Sequence, residues 1–474
     1  MNPENNSQKS DEEIQNTQYE KHINRIKNST LKIKKDGSLI DLSFTQRFQL
    51  NQLYITSCHY VSFQYAFSQT CTVFQADNCK IKNLSGIEQN QSLRSLFLSY
   101  NLIEDVSPLR SLKLIDTLLI GNNKIEDISP LIQLTNLISL NLSYNSIVDL
   151  SQIKDLYSLE SLYVFSNNIS SLFGIQNLKN LETLGINNNK ITSLNGIQNL
   201  RCLKDIYAEN NKITDLYGVH HLKNLYQLFL CNNQIQDLSP LSACSQLVTL
   251  QIKYNQITDV KTLQHNVSLK YVYNTCKIRV QYAFSQTCSV FQADSCQIKS
   301  ISGIEQNQSL RSLCLTDNLI ENLSPLRTIK SIDTLSIGKN KIKDISPLNQ
   351  LTNLKILYLY DNNIANISQI KDLHYLEYLD VVNNQITFLY GVKNLKNLKD
   401  FFADNNKITD IHGVQYLKYL NTLNLNNNNI SDLTPLSECV SLTTFQINNN
   451  QITDVSPIKY NFSIIRVNIR QLRY

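Results

Sequence analysis

The sequence predicts an α/β solenoid, with one short parallel strand per turn and short 3₁₀ or helical turns returning the chain between strands. Three observations predict it. An asparagine recurs at a constant step of 22, at Asn101, Asn123, Asn145, Asn167, Asn189, Asn211, Asn233 and Asn255. The same step resumes at Asn318 and continues through Asn340, Asn362, Asn384, Asn406, Asn428 and Asn450. Each asparagine closes a segment of the form L-x-x-L-x-L-x-x-N-x-I, as in Leu93, Leu96, Leu98, Asn101 and Ile103, and apolar residues spaced by three follow it. A fixed period held this long belongs to architectures whose units bury their apolar faces only against their neighbours.

The L-x-L alternation is the period of a strand, with two side chains turned inward and the one between them outward. The asparagine amide offers donors and an acceptor together. Placed where the chain leaves the strand, it can satisfy backbone groups that burial would otherwise orphan. Cysteine takes that slot at Cys58, Cys79 and Cys296. The other half of each unit, such as Ile125, Ile128, Leu131 and Leu134, is spaced by three and suits 3₁₀ turns, whose side chains eclipse at that interval. Ser129-Pro130 and Ser239-Pro240 punctuate some of these turns, and Gly174, Gly196 and Gly218 punctuate others, as tight bends require.

Weaker units extend the array. Leu50, Leu53, Ile55, Cys58 and Tyr60 fit one turn, and Cys71, Phe74, Ala76, Cys79 and Ile81 fit the next. Ile464, Val467, Ile469 and Leu472 fit a last turn without asparagine. A second level of repetition lies above the first. Gln64 to Cys71 reappears as Gln281 to Cys288, and Ser85 to Leu96 as Ser302 to Leu313, both at an offset of 217. Near the end, Asn255 to Val260 matches Asn450 to Val455 at an offset of 195, so the second copy lacks one repeat unit. The expected organisation is a polar segment and cap over residues 1–49, a first block over 50–270 and a second, continuous block over 271–474. Between the blocks, around Leu269 to Arg279, the ladder runs one residue short. The apolar positions do not lapse there, which favours a continuous stack over a kink.

Composition excludes several classes. The net charge of +5 arises from 44 basic and 39 acidic residues dispersed along the chain, which gives no basic stripe for nucleic acid. No run of 18 apolar residues predicts a membrane span. The N-terminal stretch has no apolar core of an export signal, so a cytoplasmic or nuclear location, reduced thiols and unmodified Asn-x-Ser sequences are expected. The basic run Lys32 to Lys35 reads as a solvated cap edge. The seven histidines do not cluster at metal spacing, and neither H-E-x-x-H nor C-x-x-C occurs. No phosphate loop or nucleophile elbow is present. Neither enzymatic activity nor a cofactor is expected.

The informative positions are therefore the outward residues of the strands, which tile the concave sheet. In the first copy these include Phe97, Tyr100, Tyr144, Tyr163, Phe165, Asp205, Tyr207, Glu209, Phe229 and Tyr254. In the second they include Tyr358, Tyr360, Asp361, Tyr378, Asp380, Asp400, Phe402 and Asp404. Rings supply area to bury and carboxylates select basic partners, so this pattern points to binding another protein. Duplicated patches could hold two copies of a partner where geometry permits.

The motif L-x-x-L-x-L-x-x-N-x-I with a constant step of 22 resembles the short leucine-rich-repeat class over Leu50 to Tyr474. That class includes the repeat-type regulatory subunit of type 1 protein phosphatase and the bacterial internalins. The resemblance implies a horseshoe with a parallel concave sheet, and an intracellular interaction scaffold as its function. It implies a phosphatase regulatory subunit as a narrower alternative, in which acidic and aromatic concave residues such as Asp205, Tyr207, Glu209 and Phe229 would meet the catalytic subunit. An exported surface adhesion protein is the third.

Overall fold

The computed structural model describes residues 30–34, 39–42, 45–46, 48–56, 60–63, 68–274, 286–459 and 466–468. The chain forms two compact units, the first ending near Ile213 with Tyr217–Leu222 added, the second taking Thr214–Leu216 and the chain from Lys223 onward.

In the first unit the strands are β1 (Thr30–Lys34), β2 (Leu39–Asp41), β3 (Gln52–Thr56), β4 (Tyr60–Ser62), β5 (Val73–Gln75), β6 (Ser95–Phe97), β7 (Thr117–Leu119), β8 (Ser139–Asn141), β9 (Ser161–Tyr163), β10 (Thr183–Gly185) and β11 (Asp205–Tyr207). All but β2 and β4 join one parallel sheet in chain order, beginning with β1 on β3. β2 and β4 pair with each other. β1 is thus the strand of the expected cap, and its Lys32 ammonium lies 5.6 Å from the Tyr54 ring centre.

The second unit contains β12 (Gln227–Phe229), β13 (Thr249–Gln251), β14 (Tyr271–Asn274), β15 (Val290–Ala293), β16 (Ser312–Cys314), β17 (Thr334–Ser336), β18 (Ile356–Tyr358), β19 (Tyr378–Asp380), β20 (Asp400–Phe402), β21 (Thr422–Asn424), β22 (Thr444–Gln446) and β23 (Arg466–Asn468). Each pairs in parallel with the next. Strand pairing continues between the two sequence blocks, where Val272 of β14 faces Phe291 of β15. That step is shorter by three than the usual one, which pairs Leu250 with Val272. Cys58, Cys276, Ile464, Ile469 and Leu472 lie outside the described residues.

Nearly every strand buries its middle residue and leaves its flanks half exposed. The core is the stack of these residues with the following Leu or Ile and the apolar residues of the turns, such as Leu96, Leu98, Ile103, Val106 and Leu109, all at 0 or 1% exposure. The asparagines do what their chemistry requires. Asn384 Nδ2 donates to the carbonyls of Leu359, Val381 and Val382 at 3.0, 3.0 and 3.2 Å, and its Oδ1 accepts from the Ile364 N–H at 3.0 Å. The same four bonds recur at Asn101, Asn167 and Asn428, among others. In the same slot, the Cys79 thiol donates to the Asp77 and Ile55 carbonyls at 3.3 and 3.8 Å. The residue just before each ladder asparagine is left-handed, with φ between +50° and +59°, which swings the chain off the strand.

Most returning segments contain a 3₁₀ turn, those after β9 and β10 are plain turns, and no α-helix occurs among the described residues. Turns that open on Ser-Pro take proline in the first turn, where no amide donor is needed. The Asp127 carboxylate caps such a turn, accepting from Ser129 N–H at 2.8 Å and from its hydroxyl at 2.9 Å. Glycine solves the same corner differently. Gly174 sits at φ 111°, and a Cβ there would lie 2.2 Å from the Leu150 carbonyl oxygen.

Duplication and strand register together locate the missing repeat. Leu162 of β9 matches Leu379 of β19 at offset 217, whereas Ile206 of β11 matches Phe401 of β20 at offset 195. β10 therefore has no counterpart in the second copy.

Candidate functional site

The outward side chains of the strands stand in rows across each sheet, set by parallel register. In the first unit one row reads Phe97, Leu119, Asn141, Tyr163, Gly185, Tyr207. The Tyr163 and Phe165 rings lie 5.6 Å apart, inclined at 60°. Both overhang Gly185, where a Cβ would come within 2.3 Å of the Phe165 ring and 2.8 Å of the Tyr163 ring. Gly185 is thus a seat for two rings, which a sequence search for aromatics and acids does not register. Asp205 and Glu209 flank Tyr207. Burial holds the Asp205 carboxyl above its ordinary range against the pull of Lys204, and its Oδ1 is enclosed without a hydrogen-bond partner. The same burial, with the charge of Asp205, raises the Tyr207 phenol. Glu209 Oε2 accepts from Asn187 Nδ2 at 3.3 Å. Phe97 stands apart from this group, with Leu119 and Asn141 between.

In the second unit, Tyr358, Asp380 and Phe402 share one row, and Tyr378 and Asp400 share the adjacent one. The Tyr378 ring lies between two others, 4.9 Å from Tyr358 and 5.3 Å from Phe402. Tyr360 lies over Gly338, whose Cβ would fall 2.5 Å from its ring. Four carboxylates border the rings, and none forms an ion pair among the described residues: Asp361, Asp380, Asp400 and Asp404. Asp380 is raised by burial and by the charges of Asp404 and Asp361, opposed by a 3.0 Å bond from the Val382 N–H. Asp404 is raised by burial, opposed by bonds from Asn426 N–H and Nδ2 at 2.9 and 2.6 Å. Burial and the neighbouring Asp380 also push the Tyr378 phenol well above the usual tyrosine range.

Phe229 and Tyr254 lie in the second unit but not in this group, since Phe229 is on β12 and the rings are on β18 to β20. Tyr100, Tyr144 and Tyr254 occupy the left-handed position before the ladder asparagine and are 62%, 52% and 63% exposed. The expected residues omit Tyr273, half-buried on β14 beneath Lys253, whose ammonium stands 5.8 Å from the ring centre and 3.1 Å from Gln292 Oε1. Tyr273 follows Phe229 and Gln251 at the usual step of 22, so the register places it on their row.

Seven of the nine cysteines among the described residues are buried, while Cys202 is exposed and Cys314 half-buried. Burial raises the Cys71 and Cys288 thiols to about 12, so at neutral pH they hold their protons. Among the described residues no three His, Cys, Asp or Glu side chains are grouped to hold a metal, and no helix is long and apolar enough to cross a membrane.

One strand per repeat, a buried amide at most strand exits and short turns back define the architecture, and the family comparison agrees with it. The model of paired leucine-rich repeats matches residues 157–199, 203–243, 330–372 and 420–460. The chain is a leucine-rich-repeat protein. Its solved likenesses agree. A leucine-rich-repeat protein of Leptospira interrogans is 24% identical with a TM-score of 0.65, over 84% of this chain and 95% of that one. The functional domain of InlJ from Listeria monocytogenes is 20% identical with a TM-score of 0.53, over 80% and 74%. The plant peptide hormone receptor RGFR1, solved in complex with RGF2, is 17% identical with a TM-score of 0.54, over 93% and 92%. At these identities the likeness is one of fold. No curated protein matches the chain.

Proposed function

We propose that this leucine-rich-repeat protein is a non-enzymatic scaffold that binds partner proteins on the open faces of its strands. One observation carries the reading: the rings of Tyr358, Tyr378 and Phe402 lie side by side, tilted against one another, on three adjacent strands, half exposed and bordered by carboxylates that form no ion pair among the described residues. A lone exposed ring is ordinary on a sheet. A contiguous row of them on rigid strands offers area to bury at small entropic cost. Protein binding by the fold is also represented among the likenesses, in the receptor solved with RGF2. In this reading the scaffold works in the cytoplasm, where its thiols stay reduced.

The test is affinity capture by the full-length chain from its native cell extract, comparing wild type with Tyr163→Ser/Tyr207→Ser and with Tyr378→Ser/Phe402→Ser. Loss of a captured protein in either variant, with the circular-dichroism melt unchanged, is the expected result. Identical captured sets for all three proteins would overturn the reading.

A further inference from the structure

The duplication gives this chain an internal alignment, and strand register says which aligned positions face inward. Inward positions match: Leu140 with Leu357, Leu142 with Leu359, Leu162 with Leu379, Val164 with Val381, all fully buried. Outward positions do not. Asn141, Ser143 and Ser161 of the first copy correspond to Tyr358, Tyr360 and Tyr378 of the second, while Tyr144 and Tyr163 correspond to Asp361 and Asp380. Asp205, Tyr207 and Glu209 retain their character as Asp400, Phe402 and Asp404. The first-copy face carries two carboxylates at these positions, and the second carries four.

We propose that the second-copy face, from β18 to β20, docks a basic segment of a partner protein through its arginine or lysine side chains, and that the first-copy face takes a different ligand. The proposal rests on the scaffold reading above and narrows it. Charge complementarity selects the occupant. Asp361, Asp380, Asp400 and Asp404 border the Tyr358, Tyr378 and Phe402 rings, and no Lys or Arg of the chain pairs with them among the described residues. A guanidinium laid on such rings gains from their negative faces, and its N–H groups reach the bordering carboxylates. Partial burial of Asp380 and Asp404, with their mutual repulsion, makes an incoming cation more favourable there than at a fully hydrated surface. An acidic or neutral segment would leave those carboxylates crowded and uncompensated.

The test is binding of fluorescein-labelled octa-arginine to the full-length chain by fluorescence anisotropy, with octa-glutamate as the opposite-charge probe. Binding of octa-arginine alone is expected, weakened about tenfold by each of Asp380→Asn and Asp404→Asn, as loss of a charge-assisted contact implies. Tyr378→Ser leaves net charge unchanged and is expected to weaken binding by a similar factor, which separates a built surface from general attraction. Grafting the first-copy residues as Tyr358→Asn/Tyr378→Ser/Asp380→Tyr/Asp361→Tyr should abolish binding while restoring a sequence the fold already accommodates. Failure of octa-arginine to bind, or affinity within twofold of wild type in Asp380→Asn, Asp404→Asn and Tyr378→Ser, overturns the proposal. If octa-arginine fails while capture of a protein still depends on Tyr163 and Tyr207, only the basic-ligand inference falls. If capture depends on neither face, the scaffold reading falls with it.

Discussion

Replacing Asn384 by alanine removes four hydrogen bonds, but the geometry limits how many groups are left orphaned. The Leu359 carbonyl that receives Asn384 Nδ2 also receives Asn362 Nδ2 at 3.0 Å, and the Val381 carbonyl also receives Asn406 Nδ2 at 3.0 Å. Both acceptors therefore stay satisfied in the variant. The Ile364 N–H does not, because Asn384 Oδ1 is the acceptor it uses, in a residue wholly buried. One unsatisfied buried amide costs about 1–3 kcal/mol. Loss of the amide's packing adds roughly 1 kcal/mol. A total of about 2–4 kcal/mol follows from these two contributions. Cysteine should cost less than alanine, because a thiol can retain a weak donor bond in that slot, as Cys79 does. Amide exchange read by mass spectrometry over β18 to β20 is the suitable assay, since a repeat array need not unfold in one step. Protection there should fall by about 30-fold or more in Asn384→Ala, and less in Asn384→Cys. Exchange indistinguishable from wild type in Asn384→Ala would refute the idea that the ladder amide holds consecutive turns together.

Gly174→Ala forces a side chain into the Leu150 carbonyl at a φ that L-residues avoid, and should destabilise the first unit by about 1–3 kcal/mol in urea titration. Tyr254→Asn exchanges a bulky left-handed residue for the type found there in most repeats. The conformational gain of about 1 kcal/mol offsets the area lost from a ring already 63% exposed. Its melting point should therefore stay close to wild type, and a large drop would show that the ring is structural. Asp380→Asn should raise stability at neutral pH, because a carboxyl whose pKa is raised in the folded chain weakens folding once ionised. That advantage should shrink as pH falls through the raised value toward the ordinary aspartate range, and thermal melts across acid pH would show it. Asp344, held low by the bonds of Ser346, acts oppositely: Asp344→Asn should be destabilising above the ordinary aspartate pKa and lose its effect as pH falls below it.

The fold is legible because period and chemistry coincide. A strand alternation, a buried amide and three-spaced apolar residues each demand a local geometry, and the repeat has the length at which all three close on the next turn. The positions of the candidate side chains follow from the same register, and every one falls on or just after a strand. Their grouping does not, because it depends on lateral reach across strands. Tyr378 contacts rings on both neighbouring strands, whereas Phe97 is cut off by Leu119 and Asn141. Gly185 and Gly338 matter as surfaces for rings, and glycine's missing side chain gives no pattern to search for. Tyr273 stands at the regular step of 22 from Gln251, so the register marks its position although the expected residues do not include it. Tyr207 and Phe229, grouped in the sequence, fall in different compact units.

Every ladder amide bonds only within its own turn and to the turn before it. Cutting out one whole period therefore leaves two ends that meet as the original neighbours did, with the same donor facing the same acceptor. The two copies differ by one such period at β10, and the chain around Val381 and Ala403 carries the same Asn406 bonds as other junctions. Insertion is tolerated by the same logic. The length of this protein is thus free to vary in whole turns over evolutionary time without the core being solved anew, and each gain or loss shifts which rings and carboxylates stand side by side.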